Sequence, residues 1–191
     1  MFDNELLHEG ILKTLDGLGL DLKDENVTDT PKRVVKMYNE IFLPKEVRDE
    51  EAVKILSKTF PSKYDGMVIS RGIRTYSMCI HHLLPIILDV VIGYIPSDRV
   101  LGLSKLARIA DLHAHQPLIQ ENYSIELAES IMKTLKPKGV GVYTQGVHFC
   151  QTMRGAKQRE AVMVTTDLMG CFRDDAKCRD EFLKEAHRGN F

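Results

Sequence analysis

The chain has 191 residues, enough for one domain with a substantial core, and its 26 Lys and Arg against 27 Asp and Glu leave a formal charge of -1. That balance removes any whole-chain electrostatic case for binding nucleic acid or a membrane surface, while leaving room for a local basic pocket. No stretch approaches the roughly 18 apolar residues that span a bilayer, the opening Met-Phe-Asp-Asn-Glu-Leu-Leu lacks the pattern of a signal peptide, and four scattered cysteines make no disulfide framework. A cytoplasmic protein that keeps its thiols reduced is expected.

Leu6, Leu7, Ile11, Leu15 and Leu18 recur at helical spacing and predict an amphipathic helix from Asn4 to Leu18, closed by Gly17 and Gly19. Asp29-Thr30-Pro31 offers a capping side chain followed by proline at the first helical position. A second helix should follow, with Val34, Met37, Tyr38 and Ile41 on its apolar face and Arg33 and Lys36 one turn apart on another. A weaker helix is expected from Asp49 to Lys58. Residues 1–60 thus read as a helical region and residues 61–191 as the main domain.

The pattern changes after Pro61. Met67 to Met78 and Ile86 to Ile95 are rich in Ile, Val and Tyr and read as neighbouring strands. Ser104, Lys105 and Arg108 gather at the start of the next helix, where a helix N-terminus with added cations suits a phosphate. Pro117 should open a further helix carrying Ile119, Tyr123, Leu127, Ile131 and Leu135, with Gln120 and Glu121 in its first turn. A carboxylate there often does no more than complement the helix dipole. His113 and His115 read as structural or surface residues. Val140 to Cys150 and Glu160 to Leu168 are expected as two more strands, and Ala176 to His187 as a charged helix. Paired strands interrupted by a helical pair fit an α+β fold with a four-stranded antiparallel sheet better than alternating parallel units.

Chemistry concentrates at two places. Cys79 and His82 are three residues apart between the first two strands, and His148 and Cys150 are two apart at the end of an apolar run. A lone Cys-x-x-His arises by chance and a buried cysteine is ordinary, but a second His/Cys pair allows distant segments to build a three-ligand zinc site. In an extended chain His148 and Cys150 would point the same way. The arrangement favoured by this pattern is Cys79, His82 and Cys150 around the metal, with His81 and His148 free to move protons. Cys171 and Cys178 read as plain thiols.

The chain resembles the GTP cyclohydrolase I family. The stretches that carry the likeness are Asp29-Thr-Pro-Lys-Arg-Val-Val-Lys-Met-Tyr38, Cys79-Ile-His-His-Leu-Leu-Pro85, Tyr94-Ile-Pro96, Gly102-Leu-Ser-Lys-Leu-Ala-Arg-Ile109, Gln120-Glu121, His148-Phe-Cys150, Met153-Arg-Gly155 and Arg179-Asp-Glu-Phe-Leu183, in family order. The resemblance implies the tunnelling fold (T-fold), a homodecamer of two pentameric rings, and active sites between subunits. It implies zinc on Cys79, His82 and Cys150, acid/base work by His81 and His148, and guanine recognition by Gln120 and Glu121. Ser104 falls where the family meets the sugar-phosphate portion, and Arg33, Lys36, Lys105, Arg108 and Arg154 match triphosphate contacts. The implied reaction converts GTP to 7,8-dihydroneopterin triphosphate and formate, in folate, pterin or deazaguanine synthesis.

The chain departs from the family pattern at Ile80, where a glutamate is usual, at Gln116 and Asn122, where arginines are common, and along residues 160–167. Three readings therefore stand open: the full reaction, a zinc cyclohydrolase with an altered product or nucleotide, and a catalytically silent nucleotide-binding assembly protein.

Overall fold

The computed structural model describes residues 2–188, and the chain divides into two compact units, Met1–Lys45 and Glu46–Phe191. The first holds helices α1 (Asn4–Gly17) and α2 (Thr30–Ile41). Asp3 caps α1 by accepting the Leu6 N–H at 2.9 Å. The expected cap of α2 does not form, although Pro31 does occupy its first turn. Asp29 lies in helical backbone geometry and its carboxylate faces Lys32 at 4.0 Å and Arg33 at 3.8 Å instead.

The second unit begins at Glu46, inside the first turn of α3 (Lys45–Leu56), a helix that starts and stops earlier than periodicity suggested and buries Ala52 and Leu56. A small antiparallel pair, β1 (Thr59–Pro61) with β4 (Arg99–Leu101), flanks the main sheet. The main sheet has the order β5-β2-β3-β6-β7. Its body is antiparallel: β2 (Val68–Cys79), β3 (Pro85–Ile95), β6 (Gly139–His148) and β7 (Met163–Gly170). Two helices, α4 (Lys105–Ala114) and α5 (Gln120–Leu135), come between β4 and β6 in the chain.

Two boundaries differ from expectation in ways that shape the site. Pro117 does not open a helix: Pro117 and Leu118 form β5, which runs parallel to the end of β2 with Cys79 opposite Leu118. Its backbone is consumed by pairing, for the Ile80 N–H donates to the Leu118 carbonyl, so α5 starts only at Gln120. Likewise β6 stops at His148, and Cys150 sits in a helical turn, α6 (Phe149–Thr152), rather than on extended chain. The last strand is shifted to Met163–Gly170.

Alternation along the strands separates two cores. On one face Leu88, Val90 and Ile92 of β3 and Val140 and Val142 of β6 are fully buried, together with Ile109 of α4 and Leu127 and Ile131 of α5. On the other, α7 (Cys171–Asp174) and α8 (Ala176–His187) bring Phe172 and Phe182 against Val91 and Tyr143. Gly93 and Gly141, paired across β3 and β6, admit those rings: a Cβ on Gly141 would stand 2.8 Å from both Phe172 and Phe182. Among the described residues no helix is long and apolar enough to cross a membrane.

Candidate metal centre

Cys79 ends β2, and the chain then reverses in a tight turn into β3. The turn is closed by Leu83 and His82 N–H groups donating to the Cys79 carbonyl at 2.8 and 3.3 Å, and by Cys79 N–H donating to Leu84. Leu83 takes the left-handed conformation that this reversal needs. The turn leaves Cys79 buried and displays His81 and His82 outward. Their Nδ1 atoms lie 3.7 and 3.8 Å from Cys79 Sγ.

The β3–β6 register sets Ile86 opposite His148, so the end of β6 arrives beside the turn. The helical turn that follows folds Cys150 back towards it. One ligand atom each from Cys79, His148 and Cys150 come within 4.8 Å of one another. Burial and the neighbouring Cys79 thiol both push the Cys150 thiol up from its ordinary pKa, and the positive charge of Arg154 opposes them.

The donors suit a metal that accepts sulfur and nitrogen. In a tetrahedral site with metal–sulfur bonds of about 2.3 Å and metal–nitrogen bonds of about 2.0 Å, sulfur and nitrogen ligands stand roughly 3.5 Å apart. The Cys79–His81 and Cys79–His82 separations of 3.7 and 3.8 Å are close to that edge. Among the described residues the tight three-member group contains His148, and His82 stands beside Cys79 without joining it.

His148 is half-buried, and its burial pushes the imidazole below its usual pKa while the nearby Glu121 carboxylate pulls the other way. Its Nε2 lies 2.9 Å from Gln120 Oε1. Gln120 itself is fully buried. Its Nε2 reaches the Thr144 carbonyl at 3.2 Å, the Met163 carbonyl at 2.9 Å and the Thr165 hydroxyl at 3.2 Å. Glu121, one residue on, is exposed.

The remaining candidates are spread along the fold. Ser104 precedes α4 and makes no side-chain capping bond. Lys105 is in the first turn of α4, and Arg108 lines a hollow of about 260 Å³ with Glu51, Asp111 and His115. Arg154 is exposed just beyond α6 and acts electrostatically on Cys150. Arg33 and Lys36 belong to α2 of the first unit, where their nearest carboxylates are Asp29 at 3.8 Å and Glu40 at 3.7 Å. The Gln120–His148 bond was not anticipated. The burial of Gln120 was nevertheless signalled by the spacing, because Gln120 stands three residues before Tyr123 and seven before Leu127, a polar residue on the inward stripe of α5.

Comparison with known proteins identifies the family. The family model described as GTP cyclohydrolase I matches residues 7–187. The GTP cyclohydrolase 1 of Clostridium perfringens strain ATCC 13124 is 39% identical over 184 residues, covering 96% of this chain and 98% of that protein. The GTP cyclohydrolase 1 proteins of Sulfurihydrogenibium sp. strain YO3AOP1 and Chromohalobacter salexigens are each 39% identical over 183 residues, covering 96% of this chain and 95% and 98% of theirs. With the likeness running through both cysteine-bearing segments and almost end to end, the chain belongs to the GTP cyclohydrolase I family.

Proposed function

We propose that this chain hydrolyses GTP to 7,8-dihydroneopterin triphosphate and formate at a zinc centre, in a T-fold homo-oligomer of two pentameric rings. The observation that carries the reading is the approach of Cys79 and Cys150 at the junction of β2, β3 and β6, with His148 in the same group and His82 Nδ1 3.8 Å from Cys79 Sγ, in a chain whose family likeness covers that junction whole. Cys79, Cys150 and His82 are the ligands proposed for zinc. When bound there, zinc supplies Lewis acidity that makes water nucleophilic near neutral pH.

The chain's own residues do the rest. Glu121 offers two carboxylate oxygens to the guanine N1–H and exocyclic amine, an edge that adenine lacks. Lys105, Arg108 and Arg154 are the cations proposed for the triphosphate, with Ser104 at the sugar-phosphate. His81 and His148 hand a proton to the ring nitrogen that leaves C8 when the imidazole ring opens, and take protons during release of formate and rearrangement of the ribose. Closure of the new ring then gives the pterin. The open outer edge of β7, which pairs only with β6 among the described residues, supports a sheet completed by neighbouring subunits.

The test is to incubate zinc-loaded protein with GTP and follow formate and pterin absorbance together. Both products are expected. Formate without pterin would favour a reaction that stops after ring opening, the reading motivated by Ile80 on the ligand turn. Binding of GTP with neither product would leave a silent nucleotide-binding protein.

A further inference from the structure

The Gln120 carboxamide can be oriented from its partners alone. Its nitrogen side meets two backbone carbonyls, of Thr144 and Met163, and the Thr165 hydroxyl. Carbonyl oxygens only accept, so a flipped amide would press oxygen against two oxygens inside a fully buried site. The Thr165 hydroxyl is in turn held by Ser124 at 2.7 Å. Gln120 Oε1 must therefore face His148 Nε2, 2.9 Å away. An amide oxygen carries no hydrogen, and the proton in that bond belongs to the histidine. A neutral His148 then has its lone pair on Nδ1.

Gly146 makes the contact possible. It precedes His148 by two residues on β6, and a Cβ there would overlap Gln120 Oε1 and stand 3.1 Å from His148 Nε2. Any larger residue would displace the amide, the ring or both.

We infer that Gln120 is a positioning residue that acts through His148: its amide oxygen holds Nε2–H and so fixes the tautomer and the orientation of the ring, with Gly146 keeping the space for that bond. This rests on the proposed function in taking His148 as a participant, and it moves the Gln120 side chain from guanine recognition to the support of an imidazole. The amide is fully buried, both its N–H groups are engaged within the protein and its oxygen already accepts from His148, so it presents no free donor edge to a purine.

The direct test reads the ring itself. In the full-length protein labelled with ¹⁵N-histidine, His148 resonances are assigned by their loss in His148→Asn. The neutral ring is expected protonated at Nε2 in the parent, and as a mixture of tautomers in Gln120→Met. Protonation at Nδ1 in the parent would overturn the inference, and that measurement requires no variant of Gln120 to fold. Kinetically, Gln120→Met and Gly146→Ala should each lower kcat about 10-fold to 100-fold with KM for GTP nearly unchanged. Adding Gln120→Met to His148→Ala should cost no more than His148→Ala alone. A raised KM at constant kcat, or costs that simply multiply, would place Gln120 on the substrate or in a purely structural role and contradict the inference. If no formate appears from GTP at all, the proposed function fails, while the ¹⁵N signature still decides the tautomer.

Discussion

Single residues divide here into those that could hold a cation and those that could move a proton, and the division is open to experiment. Cys150→Ala should lose both zinc and activity, because it removes one of two sulfurs near a shared point. His81→Ala should retain stoichiometric zinc and lose about 10²-fold to 10⁴-fold in rate, the range for a missing acid/base group. Metal analysis beside formate release separates the two outcomes, and loss of zinc from the His81 variant would exchange its role with that of His82. Outside the centre, Asp167 carries a further residue-scale consequence. Burial raises its pKa and Glu129 adds to the effect, while Arg173 opposes both. A carboxyl whose folded pKa exceeds its unfolded value penalises the fold once ionised, and the penalty vanishes as pH falls below the unfolded value. Asp167→Asn should therefore raise Tm at pH 7, with a gain that shrinks as pH falls through the carboxylate range. A constant gain across that range would show that ionisation is not the cause.

At the scale of elements, the paired glycines on β3 and β6 bear the weight of the packing against α8. Gly141→Ala places a methyl group 2.8 Å from two aromatic rings and should cost about 1–3 kcal/mol by overpacking, measurable as a lowered denaturant midpoint. An unchanged midpoint would mean that α7 and α8 can yield. Much of this layer was legible beforehand. The helical periodicity of α5 and the apolar runs of β3 and β6 are local signals, written in consecutive side chains, and they mark Tyr123, Leu127 and Ile131 as inward residues before any coordinates. What escaped depended on partners far along the chain. Pro117-Leu118 becomes a strand only because the end of β2 lies alongside, and Cys150 leaves the extended conformation only because the chain must fold back at the end of β6. The reasoning that joined His148 to Cys150 through strand alternation was thus wrong in its geometry, although both residues do converge with Cys79. Gln120 was visible as a polar residue on an apolar stripe. Its bond to His148 was not, since it depends on the β6–β7 register and on Gly146.

For the whole molecule, the resemblance implies an assembly in which sheet edges close against neighbouring subunits. Both edges of the main sheet are compatible with that: among the described residues β7 is paired on one side only, and β5 covers just the Met78–Cys79 end of β2. Val162, just before β7, and Val164, within it, are exposed at 47% and 48%, apolar surface that an isolated chain would leave in water. Native mass spectrometry should find ten chains per particle, and a stable active monomer would remove the assembly from the account. The proposed activity depends on neither edge nor core but on the zinc proposed at Cys79 and Cys150. Its most direct test is formate release from GTP by protein stripped of metal with a chelator and then titrated with zinc. Activity should vanish on stripping and return in proportion to zinc up to one ion per chain, with no return in Cys150→Ala. Undiminished formate release from the metal-free protein would contradict it.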